Sequence, residues 1–311
     1  MCIRDSYLAR QAIESGSSDC VLALGFEQMR PGALGDIYTD RPSPFGEFNE
    51  TCEQLVGNAE IPLALRYFGG AGKSHMDKYG TTMKDFAKIR AKASRHAAKN
   101  PLALFKKEVS EEEVLQSPIM WPGVMTRLMA CPPTCGGAAA ILVSENFANK
   151  HGIDSSIRIL AQSMTTDYES TFADRDMMQL VGYDMSKEAA KNVYHQAGID
   201  VQDIDVVELH DCFAHNELIT YEALGLCKEG EAQKFVSDGD NTFGGKFVTN
   251  PSGGLLSKGH PLGATGLAQC FELTQQLRGN AGEKQVDGAT TALQHNLGLG
   301  GACVTTLYQS A

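Results

Sequence analysis

The sequence is poor in positive charge and has no long hydrophobic run. Lysine and arginine number 27 against 38 aspartates and glutamates, which gives a formal net charge of −11 at pH 7. This balance argues against a protein that binds nucleic acid or an anionic membrane surface, because both attract positive charge. No stretch reaches the roughly 18 consecutive apolar residues that a membrane-spanning helix needs, so we expect no membrane span.

Signals for cysteine pairing and metal binding are also missing. The nine cysteines are odd in number, scattered, and contain no C-x-x-C pair. This usage favours a reducing compartment over a disulfide scaffold. Cys131 and Cys135 flank Pro-Pro-Thr, but no second pair at ligand spacing follows. The sequence therefore predicts no metal site.

The residues that are present predict a layered α/β protein. The 311 residues, 42% of them hydrophobic and 21% charged, are enough for about two domains with a core. Apolar runs predict buried strands at 20–26 and 136–143, and further strands at 157–163, 206–209, 289–293 and 302–307. Helical periodicity predicts helices at 7–14, 82–99, 144–151, 186–197, 265–277, and one that ends near residue 224. Such alternation is typical of a sheet covered by helices.

The region from Met29 to about Arg127 differs, because helical periods follow turn formers without an alternating strand. We interpret it as a helical insertion in the first of two α/β units, 1–152 and 153–311. Its helix at 82–99 has an apolar stripe, and six basic residues are predicted around the rest: Lys84, Lys88, Arg90, Lys92, Arg95 and Lys99. The helix at 265–277 has a stripe of Leu267, Phe271, Thr274 and Leu277.

The first segment with candidate chemistry is His210-Asp211-Cys212-Phe213, which follows the strand at 206–209. Ligands bind at the carboxyl ends of strands in open α/β sheets. A thiol near a helix N-terminus can have a lowered pKa, which would make Cys212 a usable base or nucleophile. The alternative is that Cys212 is a buried apolar residue and His210 a hydrogen-bonded core residue.

The second segment runs from Asn250 to Gly266 and surrounds a single imidazole, His260, with glycines and prolines. Glycines permit close approach of a ligand to the backbone. Pro261 restricts the backbone of His260 and thereby the direction of its ring. This pattern favours a functional histidine over an incidental loop residue.

The third segment, Gln294 to Gly301, is predicted to follow one strand and turn back into the next. Backbone N–H groups in such a turn can point together at an oxyanion. An ordinary hairpin explains the same pattern. Gly298 and Gly300 lead into a strand and not a helix, which excludes the dinucleotide-binding fingerprint.

In this order the three segments resemble the thiolase superfamily, and the His-Asp-Cys-Phe form resembles the sterol-carrier-protein-type thiolases. The resemblance runs from about Tyr7 to Tyr308. It implies a thiolase-like layered α/β sandwich of two similar halves with a helical loop domain inserted in the first half. It also implies an enzyme, an acyl-CoA acyltransferase that cleaves a 3-ketoacyl-CoA with coenzyme A, as in fatty-acid β-oxidation, or catalyses the reverse condensation. Coenzyme A is then a co-substrate, and no cofactor is bound permanently.

The resemblance also implies roles for single residues. His260 activates the nucleophile and helps to form the thioester oxyanion hole, and His210 lies near that hole. His295 stands where most thiolases have their acid/base cysteine, so Cys212 is expected to take that role. The residues expected to contact the CoA ester are Leu297, through its backbone N–H, together with Ser257, Gly259 and Phe213. The basic helix either binds CoA phosphates or is a solvated face.

The front of the sequence departs from the family. Counted back from Arg10, the family's nucleophilic cysteine falls two residues before Met1, and Cys2 is three positions out of register. We therefore expect an N-terminally truncated chain in which Met1 to Ser6 are non-native, and which lacks the acyl-accepting cysteine and is inactive as written. A shortened first half would expose sheet edges and apolar faces, so we also expect poor solubility.

Two other functions remain open. One is a thiolase-like aldolase that acts on steroid side-chain CoA esters with a small partner protein and needs no nucleophilic cysteine. The other is a non-catalytic pseudoenzyme that binds CoA esters or lipids, as in lipid transport. The family implies acyl-CoA and CoA as ligands and a homodimer for the full-length protein. We expect a bacterial cytoplasm, or the peroxisome if the source is eukaryotic.

Overall fold

A five-stranded mixed sheet is the centre of the fold. The computed structural model describes residues 2–30, 40–57 and 61–310. The strands are β1 (Cys20–Glu27), β2 (Ile119–Trp121), β3 (Met125–Thr126), β4 (Gly136–Val143), β5 (Ile157–Thr165), β6 (Val206–Glu208), β7 (Val248–Thr249), β8 (Thr291–Gly298) and β9 (Ala302–Ser310). The large sheet has the order β5-β9-β8-β6-β7. Strands β5, β9 and β8 are antiparallel, and β6 pairs in parallel with β8 and β7.

Helices pack against the sheets, as the alternating pattern predicted. They are α1 (Cys2–Glu14), α2 (Gly46–Val56), α3 (Leu63–Tyr79), α4 (Met83–Ala98), α5 (Glu111–Gln116), α6 (Glu145–His151), α7 (Ser170–Ala173), α8 (Met177–Leu180), α9 (Tyr183–Ala197), α10 (Ala214–Ala223), α11 (Ala232–Ser237) and α12 (Thr265–Leu277). The predicted helices are confirmed, although α1 begins five residues before the predicted residue 7. None of the helices in the described residues combines the length and the apolar composition that a bilayer-spanning segment needs.

Strands β1 and β4 form a separate antiparallel pair with one covered face. Helices α1 and α12 pack on that face around Ala9, Ala23 and Leu267. The opposite face carries large apolar side chains that are between 59% and 73% exposed: Leu22, Leu24, Phe26 and Ile141. The prediction of buried strands is therefore wrong for this face. Successive side chains of a strand point to opposite sides, and here one side faces solvent.

The inserted region contains α2 to α5 and a short hairpin of β2 and β3 that the sequence did not predict. Its long helix α4 begins with a capping box between Thr82 and Asp85. The prediction that six cations surround this helix is wrong for two of them. Arg90 and Lys92 are buried, because each finds a polar partner in the core, whereas Lys84, Arg95 and Lys99 are exposed.

Two predictions near the C-terminus also need correction. The third segment was expected to be a turn from residue 294 onward, but β8 continues to Gly298 and pairs residue by residue with β9. His295 therefore lies inside a strand. On α12, Leu267 and Leu277 of the predicted stripe are buried, but Phe271 is 42% exposed. Leu273 and Gln276 also face the core.

Candidate active site

One apolar cavity of about 540 Å³ brings together residues from the three segments. His210, Cys212 and Phe213 come from the first segment, His260 from the second and Leu297 from the third. Apolar side chains form most of the remaining wall: Leu65, Phe68, Met120, Leu128, Leu262 and Leu299. A cavity of this size with a few polar groups on an apolar wall is typical of a small-molecule site.

The loop with His210 and Cys212 follows the carboxyl end of β6 and leads into α10. Its backbone is fixed by side chains, since Asn250 Oδ1 accepts a hydrogen bond from Leu209 N at 2.8 Å and Asn216 Nδ2 donates to His210 O at 2.6 Å. The Phe213 ring stacks on Phe68 with 5.0 Å between centroids. The loop therefore presents its side chains to the cavity from a rigid backbone.

His260 has one ring nitrogen engaged by the protein. Its Nδ1 lies 2.7 Å from Thr265 Oγ1, and that hydroxyl lies 2.9 Å from Pro261 O. Because the hydroxyl proton is donated to the carbonyl, we assign the imidazole proton to Nδ1, and Nε2 is left as the basic nitrogen. Burial lowers the pKa of His260 to about 4, so the ring is neutral at pH 7.

The two cavity histidines face each other. The rings of His210 and His260 are edge to face, with 5.0 Å between centroids. Burial, followed by His260 and His295, holds the pKa of His210 well below its usual range. His210 Nδ1 is buried and has no hydrogen-bond partner among the described residues. A neutral imidazole with a vacant nitrogen is suited to bind a polar atom of a ligand.

The pKa of the Cys212 thiol is shifted in the direction opposite to the expected one. Burial raises its pKa well above the ordinary value, with smaller contributions from Cys131 and Asp211. The predicted lowering by the helix N-terminus is thus outweighed, and Cys212 holds its proton at neutral pH. In this state it is a proton donor.

A connecting segment, 130–134, links the two loops and was missed by the sequence analysis. Cys131 N donates to Cys212 O at 2.9 Å, and Pro133 pairs with His260. Thr134 Oγ1 accepts from His260 N at 3.2 Å. Cys131 also lines the cavity, and burial raises its pKa to about 12. The only sequence signal for this role is the unusual run Cys-Pro-Pro-Thr-Cys at residues 131–135.

Three of the predicted site residues are not among the residues that line this cavity. Both ring nitrogens of His295 are used inside the protein, at 3.0 Å from Ser186 Oγ and 3.5 Å from His210 N. The Ser257 hydroxyl accepts a hydrogen bond from buried Arg90 at 2.6 Å. Gly259 has φ +120°, and a Cβ there would meet Thr134. These three residues stabilise the cavity loops from outside the cavity.

Comparison with known protein sequences gives consistent relatives. Residues 166–308 match the family model described as "Thiolase C-terminal domain-like". The chain is 54% identical over 97% of its length to rabbit (Oryctolagus cuniculus) sterol carrier protein 2, of which it covers 55%. It is 43% identical over 97% of its length to the Caenorhabditis elegans non-specific lipid-transfer protein-like 2, of which it covers 74%. It is 33% identical over 96% of its length to an acetyl-CoA acetyltransferase of Methanothermobacter thermautotrophicus, of which it also covers 74%. The chain thus spans about half the length of the sterol carrier relatives.

Solved structures share the fold at low sequence identity. The Ltp2-ChsH2(DUF35) aldolase matches 99% of this chain and 77% of its own with a TM-score of 0.82 and 21% identity. The dimeric peroxisomal thiolase of Saccharomyces cerevisiae matches 99% of this chain and 73% of its own, with a TM-score of 0.72 and 19% identity. These likenesses confirm the predicted layered α/β fold class.

Proposed function

The chain belongs to the thiolase superfamily, in its sterol carrier protein 2 type, and on this basis we propose that it serves acyl transfer on coenzyme A thioesters. The specific reaction is thiolytic cleavage of a 3-ketoacyl-CoA by CoA, or the reverse condensation. One observation carries the proposal: His210, Cys212 and His260 converge on a single apolar cavity. Its apolar wall supplies the space for an acyl group.

The protonation states support an acid/base role for Cys212. Because its thiol is protonated in the resting site, it can give its proton to the α-carbon of the leaving thioester enolate. The resulting thiolate can then remove the proton of the CoA thiol, which regenerates Cys212. Leu297, which lines the same cavity, would offer its backbone N–H to the acyl oxyanion.

The histidines complete this proposed machinery. His260 Nε2 can take a proton from a thiol nucleophile and, once protonated, donate to the thioester oxygen. His210, 5.0 Å away between ring centroids, would bind the same oxygen. His295 is unsuited to acid/base work because both of its nitrogens are engaged. Lys84, Lys88 and Arg95 of α4 and the following Lys99 are exposed or half-exposed, and they remain candidates to bind the phosphates of CoA.

We propose that the 311-residue polypeptide does not catalyse thiolysis by itself. The thiols that line the cavity belong to Cys131 and Cys212, and burial raises the pKa of both. A nucleophilic cysteine needs a thiolate, so neither is an activated acyl acceptor. Thiolysis that disappears in a Cys2→Ala variant would overturn this proposal.

Acyl-CoA binding and α-proton exchange test the function without an acyl acceptor. We expect saturable binding of a long-chain acyl-CoA by calorimetry. In alkaline D₂O, where a fraction of the Cys212 thiol is ionised to the thiolate that removes the α-proton, we expect deuterium incorporation at the α-carbon by mass spectrometry. Cys212→Ala should abolish exchange and retain binding, whereas the neighbouring Cys131→Ala should retain both. A chain that binds no CoA ester would refute the proposal. Exchange that persists in Cys212→Ala and is lost in Cys131→Ala would move the acid/base role to Cys131.

Two alternatives predict different outcomes. An aldolase acting on steroid side-chain CoA esters needs no acyl-accepting thiol, and it would cleave a 3-hydroxyacyl-CoA without consuming CoA. A lipid-binding pseudoenzyme, in line with the names of the rabbit and nematode relatives, would bind the ester and show no exchange.

As partners we propose a second copy in the full-length protein, or a small partner protein for the aldolase. We propose the cytoplasm of a bacterium, or the peroxisome of a eukaryote, as the location.

A further inference from the structure

Asp211, between His210 and Cys212, is a buried carboxyl group to which the proposed mechanism gives no role. We propose that Asp211 is a positioning residue, which fixes the segment that carries His260 against the loop that carries Cys212. This inference rests on the proposed function for its importance to catalysis, but the positioning itself can be tested without any substrate.

The contacts of Asp211 cross from one loop to the other. Its Oδ1 accepts a hydrogen bond from Leu255 N at 2.7 Å, and its Oδ2 accepts one from Leu256 N at 3.3 Å. These two N–H groups lie in the π-helical turn Gly254–Lys258, directly before Gly259 and His260. Free N–H groups at the start of a helical turn need an acceptor when they are buried. Asp211 supplies that acceptor from a different part of the chain.

The approach of the two loops is too close for any other residue at position 254. A Cβ on Gly254 would stand 2.0 Å from Asp211 Oδ2, and the glycine has φ +58°. Glycine removes both the steric contact and the conformational strain. The sequence thus has a matched pair, the carboxyl group of Asp211 on one loop and Gly254 on the other, that together allow the contact.

Contacts from several parts of the chain hold this segment, including one from Leu104 N to Lys258 O at 3.0 Å in the turn itself. At its beginning, Asn250 N donates to Val207 O at 2.7 Å. At its end, His260 N donates to Thr134 Oγ1 at 3.2 Å. Arg90 holds the turn from the opposite side through Ser257. Asp211 joins the turn to the loop that contains its own sequence neighbours, His210 and Cys212. It thereby sets the spacing between the cavity histidines, His210 and His260.

Histidine NMR measures this positioning directly. In protein labelled with ¹⁵N-histidine, the ring signals of His260 are identified from their loss in His260→Gln, and its pKa is followed by titration without ligand. Burial gives the native ring a pKa of about 4. Asp211→Asn replaces one acceptor by an N–H donor that faces Leu256 N, which should displace the turn and raise the pKa of His260 towards its ordinary value of about 6.5.

Asp205 provides a matched control. Its carboxylate also accepts two consecutive backbone N–H groups, those of Thr290 at 2.8 Å and Thr291 at 2.9 Å, but at the amino ends of β6 and β8 and away from the cavity. Asp205→Asn should leave the pKa of His260 unchanged. A folded Asp211→Asn protein with a native His260 titration would overturn the proposal.

Amide hydrogen exchange on the unaltered chain keeps the proposal testable if Asp211→Asn does not fold. The amides of Leu255 and Leu256 should exchange as slowly as amides inside β8, because Asp211 and burial protect them. Exchange at the rate of exposed turn amides would refute the positioning role. Neither measurement involves a CoA ester, so the two failures are distinguishable. If the positioning role is wrong, the titration of His260 is the same in Asp211→Asn as in the native chain; if the proposed function is wrong, the native chain binds no acyl-CoA.

Discussion

Acid should unfold this protein at a pH far above the range in which carboxylates alone would act. Five buried histidines have lowered pKa values because burial disfavours their charged form: His96 and His295 to about 3, His215 and His260 to about 4, and His210 well below its usual range. In the unfolded chain each returns to about 6.5. The unfolded state then binds more protons below pH 6.5, so stability present above that pH is lost as the pH falls.

The magnitude follows from proton linkage. Between pH 6.5 and pH 5 each histidine binds its proton in the unfolded chain alone, which costs the folded state about 2 kcal/mol at pH 5, and about 10 kcal/mol for five. Asp211 acts in the opposite direction, since burial raises its pKa to about 8, and it restores about 2 kcal/mol. Burial also raises the pKa of Glu208. A net loss of about 6–8 kcal/mol is comparable to the total stability of a typical domain, about 5–15 kcal/mol.

Urea unfolding followed by the fluorescence of the single tryptophan, Trp121, measures this loss. The free energy of unfolding should fall steeply from pH 7.5 to pH 5. His215→Gln should reduce the pH dependence by the share of one histidine, about 2 kcal/mol over this range. The exposed His151 serves as the control, and His151→Gln should leave the dependence unchanged. A free energy at pH 5 within about 2 kcal/mol of that at pH 7.5 would refute the reasoning.

Three further predictions concern other parts of the molecule. Lys92→Met should cost about 3–5 kcal/mol in urea unfolding because it strands the buried Glu217, and Lys92→Met with Glu217→Leu should recover most of that loss; a single-variant cost below about 1 kcal/mol would contradict the role of the pair. Iodoacetamide should alkylate Cys212 at pH 7.5 more than about tenfold more slowly than exposed Cys20, as peptide mass spectrometry would show; equal rates would contradict its raised pKa. Phe26→Ser should reduce self-association in light scattering relative to the native chain, because Phe26 is 73% exposed. Unchanged self-association would show that this face of the sheet does not cause it.

The sequence predicted the elements well because their signals are local. Helical periodicity placed helices within a few residues of the observed bounds, for example at 82–99 for α4 (Met83–Ala98) and at 186–197 for α9 (Tyr183–Ala197). The prediction that His210, Cys212 and His260 share one site came from the resemblance to the thiolases, and the three residues do line one cavity. Burial was predicted poorly. Arg90 and Lys92 look like surface cations until their partners, Ser257 and Glu217, are known, and these lie 167 and 125 residues away.

The pKa of Cys212 is raised by burial and not lowered by the helix N-terminus, which shows which physical effect decides the chemistry of this site. A helix N-terminus stabilises an anion by about 0.3–1 kcal/mol, and by about 2 kcal/mol in favourable buried geometry. Full burial can shift a pKa by about 3–5 units, which corresponds to about 4–7 kcal/mol. Cys212 is 4% exposed, so burial wins although α10 begins two residues later at Ala214. The thiol consequently stays protonated until a ligand brings a charge or a base into the cavity, and its reactivity should depend on bound thioester more than on bulk pH.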